Sequence, residues 1–436
     1  MTEDHTDTNY LLPLAVLSIA QLIGWGAVGF PAVTAPQLAG DLGIGMPEVF
    51  AGTTVFYVMM GACSPLLSRV FARLGARLVM IAGTAGSAAG LLLLSLAHSP
   101  VSYFLGWLIV GAAGSASLTM PAHILLNEIA GRKAARAIGT LMLVTGLSST
   151  IFWPLTSFLQ TEIGWRGACE VYALVMALVC LPLYVFGLPR RRIEAAPSGV
   201  AAAPVAARSY DRTFVLIVAA IVFNAFITYG FSSVLIELLK GEGLSATQAL
   251  TFGSALGIIQ IAARGVNFVA DNKWDGVAIG VGSSAMLCLS LLILLAVQGS
   301  PVAVGVFLVL YGTSSGALAV ARSTIPLVFY DKGEFARALS RIALPLNWIS
   351  AASPPVLIWL MSNYGNGAVL SLCLFCSLSA IVMLCLLRGR RPGKDRGRKR
   401  HGQAELGAPA LTSTAEKVLR QCDFQLDRKP VTEQLK

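Results

Sequence analysis

The sequence predicts an all-α membrane protein with twelve transmembrane helices in two pseudo-symmetric six-helix bundles. Three observations predict this fold class. The chain has 436 residues, of which 56% are hydrophobic and only 12% are charged, and soluble globular proteins carry about 25% charged residues. Its mean hydropathy is +0.72. Apolar runs of helical length recur along the whole chain, and the basic residues lie mostly between them.

Each predicted helix is an apolar run that is long enough to cross a bilayer. A hydrocarbon core about 30 Å thick requires about 20 apolar residues in helical conformation. The runs have the approximate limits 11–34, 48–68, 77–97, 101–125, 137–160, 167–188, 213–237, 246–270, 276–297, 302–329, 338–362 and 366–387. We expect helices because the runs are too long and too uniformly apolar for the strands of a barrel.

The runs divide the chain into five regions. These are an N-terminus at 1–10, a six-helix bundle at 11–188, a linker at 189–212, a second six-helix bundle at 213–387 and a basic tail at 388–436. The linker marks the division because it begins with a proline and three arginines, continues as an Ala/Pro-rich stretch and has no apolar periodicity.

The distribution of Lys and Arg predicts the orientation in the membrane. With the N-terminus inside, the internal connections and the tail carry 28 of the 32 basic residues, and the external connections carry only Arg166 and Lys240. The positive-inside rule then places both termini and the linker in the cytoplasm. We expect a multi-pass protein of the bacterial inner membrane, with lipids around it and with the monomer as its unit.

Several function classes are excluded by the sequence. The net charge of +10 lies in loops and one tail, so it does not indicate nucleic-acid binding. Neither a phosphate-binding loop nor a metalloprotease motif is present, and four scattered histidines offer no catalytic constellation, so we expect no enzyme and no cofactor. Seven of the eight cysteines fall in or beside apolar runs, where they are typical of small buried hydrophobic residues. Cys373 and Cys376 form a C-x-x-C pair, for which soft-metal or metalloid binding is the alternative interpretation.

The connection after the second run carries a recognisable pattern. It contains Arg69, Arg73, Gly75 and Arg77. With two six-helix halves joined by a basic linker, this connection resembles the G-x-x-x-D-R-x-G-x-R loop of the major facilitator superfamily. Ser68 replaces the first Gly of that signature and Ala72 replaces its Asp. The resemblance implies a gating loop that reaches the opposite half and helps to latch one conformation, without the electrostatic contribution of the Asp.

Two further segments resemble the bacterial monocarboxylate-porter-like branch of that superfamily. One is FWPLTSFLQTEIGWRGACEVYA at 152–173, and the other is ARGVNFVADN at 263–272. In those porters an Arg of the eighth helix meets the substrate carboxylate, and the resemblance assigns this role to Arg264. Gln260 stands where the porters usually have an Asp that takes part in proton coupling. A co-transported proton would therefore need another carboxylate, and Glu237 and Glu170 are the nearest candidates.

The two intramembrane arginines also indicate a function on physical grounds. Arg264 lies about eight residues before a loop, hence about 12 Å deep at the helical rise. An Arg at the centre of a membrane helix costs about 2.5 to 3.5 kcal/mol, unless water and an anion receive it. The alternative partners are helix carbonyls or a carboxylate of another helix. Arg322, about 10 Å deep, is either a second anion contact that would favour dicarboxylates or a gate residue that snorkels to the cytoplasm.

Other polar positions could face a central cavity, although each alone is also typical of interhelical packing. They are Gln21, Trp25, Tyr57, Asn224, Tyr229 and Asn347. The sequence therefore predicts a secondary transporter that moves a small organic anion, such as a monocarboxylate, by alternating access. Efflux of a drug or a metalloid compound, or a sensor built on a transport fold, are the alternatives.

Overall fold

The computed structural model describes residues 10–189, 212–269, 274–297 and 299–391, and it contains only helices and short connections there. The helices of the first half are α1 Leu11–Val28, α2 Pro31–Leu42, α3 Met46–Ser95, α4 Pro100–Ser117, α5 Thr119–Ala130, α6 Ala134–Thr145, α7 Ser148–Val175 and α8 Leu181–Gly187. Those of the second half are α9 Arg212–Gly241, α10 Ala246–Val269, α11 Gly276–Ala296, α12 Pro301–Phe329 and α13 Lys332–Arg388. A 3-10 turn, Gly131–Lys133, joins α5 to α6, and a π-helical turn, Met176–Cys180, joins α7 to α8.

Three of the helices are each broken at one glycine. Gly75 in α3, Gly164 in α7 and Gly365 in α13 have φ values of 76°, 72° and 77° with extended ψ. Only glycine adopts this backbone region readily. Nine helical stretches of the described residues are long and apolar enough to cross a membrane, and these breaks divide three of them. The all-α membrane fold is confirmed, and the division agrees with the twelve predicted helices.

Some boundaries differ from the sequence prediction. The first membrane segment extends to Leu42, because Pro31 begins a new helix directly after the bend at Gly29. The predicted loops after the fifth and eleventh runs are reduced to the single residues Gly164 and Gly365. Most of the N-terminus, linker and tail falls at 1–9, 190–211 and 392–436, outside the described residues, so the five region boundaries stay predictions.

Glycines allow the helices of each half to approach closely. A Cβ at Gly83 of α3 would lie 2.8 Å from backbone atoms of α4, and a Cβ at Gly111 of α4 would overlap Phe56. In the second half, a Cβ at Gly316 of α12 would overlap the carbonyl oxygen of Gln260 in α10. The segment Gly312–Gly316 is therefore a packing surface.

The two halves meet close to one end of the bundle. We define the basic face as the end at which α1 begins and α13 ends, with the connections 69–77, 131–133 and 330–331. Near this face Phe335, Leu339 and Ala343 of α13 belong to the hydrophobic core of the first half. Further along α13, Trp348 Nε1 donates a hydrogen bond to the carbonyl oxygen of Val58 at 3.2 Å. The first segment of α13 thus packs directly against the first half.

Candidate functional site

A cavity of about 560 Å³ lies between the two halves. Residues of α1, α3, α5, α6 and α7 line it on one side, and residues of α9, α10, α12 and α13 line it on the other. Most of the predicted binding residues line this cavity. They are Trp25, Tyr57, Tyr229, Gln260, Arg264, Arg322 and Asn347. Leu339, Ile342 and Ala343 line its end nearest the basic face, where the two halves pack together.

Two of the predicted binding residues do not line the cavity. Gln21 is buried in the first half, where its Nε2 donates to the carbonyl oxygen of Ser117 at 2.7 Å and to the Tyr184 hydroxyl at 3.2 Å. Asn224 is buried in the second half, where its Oδ1 accepts a hydrogen bond from Ser284 Oγ at 3.2 Å. Both residues tie helices together within one half, because an interhelical hydrogen bond satisfies a polar group away from water.

Arg264 reaches from α10 towards the first half. Its Nη1 lies 3.5 Å from the carbonyl oxygen of Met142, and its buried Nε has no hydrogen-bond partner. Gly146, at the end of α6, lies so close that a Cβ there would overlap the same Nη1 atom. No described carboxylate forms an ion pair with Arg264. A guanidinium with one long contact and a buried N–H without a partner is suited to receive an anion.

Arg322 lies on α12, the helix next to α10. Its guanidinium carbon is 5.1 Å from the centre of the Tyr229 ring, within the range of a cation–π interaction. Tyr229 in turn packs edge-on against Tyr57 of the first half, with 6.1 Å between the ring centres. The guanidinium makes no hydrogen bond to any described residue, so its N–H donors remain available to a ligand.

The neutral polar residues of the cavity are held by their neighbours. Gln260 Nε2 donates to Ser315 Oγ at 3.0 Å, which ties α10 to α12. Trp25 Nε1 donates to Thr119 Oγ1 at 3.1 Å, which ties α1 to α5. Asn347 donates to a carbonyl of its own helix at 2.8 Å. These contacts lie within one half, so they fix the cavity wall without locking the halves to each other.

The cavity is electropositive. Arg264 and Arg322 line it, and none of its described lining residues is Asp or Glu. Glu237 pairs instead with Lys240 at 2.7 Å, far along α9, and Glu170 is exposed on α7. Neither of these candidate proton carriers lies in the cavity.

Sequence reasoning missed several lining residues. His123, one of the four scattered histidines, lines the cavity. Ser315 and Ser323 also line it, and they lie on the face of α12 that carries Arg322. Residues that repeat at i, i+3, i+4 and i+7 share one face of a helix. Counting that period from Arg264 and Arg322 would have found Gly257 and Ser315.

The predicted gating loop is bound to its own half. Gly75 breaks α3, and the guanidinium of Arg77 then donates to the carbonyl oxygens of Tyr184, at 3.3 Å, and Val185 in α8. Arg69 and Arg73 are exposed on the basic face. Arg77 therefore fastens α3 to α8 here, and a latch to the opposite half stays a prediction.

The cysteine pair lies away from the cavity. Cys373 is fully buried and Cys376 is 6% exposed, and both belong to the hydrophobic core of the second half. The described residues contain no group of three or more His, Cys, Asp or Glu side chains that could hold a metal ion. This placement supports the interpretation of both cysteines as packing residues.

Comparison with known families identifies the family of the protein that forms this cavity. The sequence model of the Major Facilitator Superfamily matches residues 17–326. The chain belongs to the Major Facilitator Superfamily. As a member of this superfamily it is a multi-pass membrane transporter and not an enzyme, which agrees with the resemblance found in its motifs.

Relatives and solved structures extend this assignment. The chain is 25% identical to monocarboxylate transporter 3 of Rattus norvegicus over 57% of its own length and 53% of that protein. It is 25% identical to the fujikurins efflux protein of Gibberella fujikuroi over 75% and 70% of the two chains. The chain spans about a third to a half of the monocarboxylate transporters that it matches. The human organic anion transporter MFSD10 shares the fold, with a TM-score of 0.68, 16% identity and coverage of 85% and 98%.

Proposed function

We propose that this superfamily member is a secondary transporter that carries a small organic anion, with a carboxylate of the anion bound to Arg264. A monocarboxylate is the simplest anion that satisfies this contact. It is also the class in the names of several relatives. The same contact would serve any small acid that carries a carboxylate.

The state of Arg264 carries the proposal. The guanidinium lies between the halves with one contact at 3.5 Å and a buried Nε that lacks a partner. A buried charge that has lost its hydration is strongly destabilising unless a counter-charge and hydrogen bonds replace the water. A bidentate carboxylate supplies both, since its two oxygens match the N–H groups of a guanidinium. Its arrival in a cavity between two halves can then be coupled to their movement.

The packing of the halves supports alternating access. Near the basic face α13 lies on the core of the first half, so that end of the cavity is closed. The wall extends the other way to Gly29, Trp153 and Gly257, which lie farther from the basic ends of their helices. If the basic face is cytoplasmic, as the positive-inside rule requires, the cavity faces outward. We place the protein in the bacterial inner membrane, and a monomer suffices because one chain builds the whole cavity.

The lining residues also bear on coupling. Gln260 bonds to Ser315 and cannot carry a proton. No described lining residue is a carboxylate. Transport by uniport or anion exchange therefore fits the cavity better than proton symport through α10.

Efflux of a larger organic compound is the second candidate. Of the two relatives named above, the fujikurins efflux protein aligns with the larger share of the chain. Aromatic rings line the cavity as well, at Trp25, Tyr57, Trp153 and Tyr229. Such rings bind apolar parts of a ligand, but they leave the two arginines without a partner.

Counterflow in proteoliposomes tests the proposal. Vesicles loaded with an unlabelled short-chain acid should accumulate the labelled acid from outside, and vesicles loaded with its neutral amide should not. A protonophore should leave this exchange unchanged. A sensor would bind the acid without counterflow, and an efflux transporter for neutral compounds would not distinguish the acid from its amide. Either of these results would overturn the proposal.

A further inference from the structure

We infer that the cavity contains a second anion subsite, formed by Arg322 and His123, and that the transported anion is a dicarboxylate. The inference rests on the proposed function, because it adds a second contact to the carboxylate bound at Arg264. It depends on three observations: the state of Arg322, the state of His123 and the sum of charges around the cavity.

Arg322 has room for an acceptor. Its guanidinium lies on the Tyr229 ring at 5.1 Å and makes no hydrogen bond to a described residue. An arginine that only snorkels to water would point towards the nearest face, but this one lines the cavity with Gln260 and Arg264. The aromatic ring stabilises the charge of the guanidinium, and its N–H groups remain for a carboxylate.

His123 supplies a second donor from the other half. It lies on α5, is 2% exposed and lines the cavity, and its Nε2 has no hydrogen-bond partner. It lines the same cavity as Arg322, which lies on the other half. Buried polar atoms are nearly always hydrogen-bonded in folded proteins. A carboxylate held between Arg322 and His123 would give this nitrogen its partner, as an N–H donor.

The charge balance requires two negative charges. Arg264 and Arg322 together carry two positive charges, and the described lining residues include no Asp or Glu. Both guanidinium groups line one cavity, where like charges repel each other. A monocarboxylate neutralises one of them and leaves the other, which is half-buried, without a counter-charge. A dicarboxylate neutralises both and removes the repulsion.

The helix packing places the two arginines at similar depth. Gly316 of α12 contacts Gln260 of α10, and both helices run towards the basic face from that point. Arg264 follows Gln260 by about 6 Å along the axis and Arg322 follows Gly316 by about 9 Å, at the helical rise. Two arginines at neighbouring levels of adjacent helices can be bridged by a short dicarboxylate.

Binding to the purified full-length protein tests this inference. Malonate, succinate and glutarate are each compared with their monoamides, which replace one carboxylate by a neutral group of the same shape. For at least one chain length the dicarboxylate should bind about tenfold or more tightly than its monoamide, since the second contact is charge-assisted. Arg322→Gln should abolish this preference, so that each dicarboxylate and its monoamide bind with equal affinity. Arg322→Lys should retain part of the preference. His123→Gln should reduce the preference, but by less than Arg322→Gln does.

The control and the contrary outcomes separate this inference from the proposed function. Arg388→Gln, at the exposed end of α13, should change no affinity. Equal binding of every dicarboxylate and its monoamide would overturn the second subsite and leave the carboxylate at Arg264 intact. An Arg322→Gln protein that loses all ligands equally would also overturn it. If none of these acids binds, both the second subsite and the proposed function are overturned.

Discussion

Arg264 is half-buried, and it differs from a paired arginine in what surrounds it. Its contact with Met142 is at the upper limit of hydrogen-bond geometry. Gly146 provides the space that the guanidinium occupies, because a side chain there would overlap Nη1. The position of one charged group thus depends on the absence of a Cβ in the other half.

Gly146→Ala should therefore weaken anion binding. The new methyl group would displace the guanidinium of Arg264, while the backbone at Gly146, with φ −63°, accepts alanine. We expect affinity to fall by about tenfold, the size of one charge-assisted hydrogen bond, with little change in melting temperature. Titration calorimetry with a short-chain acid measures this. Gly139→Ala is the matched control, since nothing lies within 4 Å of a Cβ there on the same α6.

At this scale the sequence predicted some site residues better than others. Arg264 and Arg322 could be found because a charge inside an apolar run needs a partner. Gln21 and Asn224 were misplaced because polarity does not indicate which way a side chain points. His123 was not predicted as a site residue, because a lone histidine in a sequence does not show whether it lines a cavity. Only the folded chain shows that His123 lines the cavity and that its buried Nε2 has no hydrogen-bond partner.

Among the elements, α7 and α13 each contain the junction of two membrane segments at one glycine. The sequence predicted the segments from their apolar length, but it predicted loops where the structure has only Gly164 and Gly365. Hydropathy locates a membrane crossing, yet it carries no information about φ. The reversal of direction at a single residue could not be predicted for that reason.

Gly365→Ala should destabilise the second half. At φ 77° and ψ −177° an alanine is strained, and such strain costs about 1 to 3 kcal/mol. We expect a lower melting temperature in detergent. Gly367→Ala, two residues later, should have no such effect, because no positive φ is required there and nothing lies within 4 Å of its Cβ. Equal melting temperatures for the two variants would contradict the assigned role of Gly365.

Across the whole molecule, the two halves repeat one junction at the face opposite the basic face. In the first half, Asp41 accepts hydrogen bonds from Trp165 at 2.8 Å and from Arg166, directly after the glycine break of α7. In the second, Glu242 at the end of α9 accepts one from Asn366 at 3.4 Å, directly after the break of α13. Each half is tied together by its own acid, so it can move as a rigid unit.

This arrangement predicts which side of the membrane reaches the cavity. In a background without native cysteines, Ser149→Cys in the cavity wall should react with a membrane-impermeant thiol reagent added outside intact cells. Arg73→Cys, exposed on the basic face, should react only after the membrane is opened. Labelling of Arg73→Cys in intact cells would show that the basic face lies outside, contrary to the proposed orientation. A bound acid should slow the labelling of Ser149→Cys.

The most direct measurement is acid binding and counterflow by Arg264 variants that fold normally. Arg264→Ala removes the charge and makes insertion of α10 easier by about 2.5 to 3.5 kcal/mol, so yield and melting temperature should hold while binding and counterflow are lost. Arg264→Lys keeps the charge but loses the planar fork, so it should bind weakly. Arg388→Gln should behave as wild type. Wild-type affinity for the acid in well-folded Arg264→Ala protein would contradict the account.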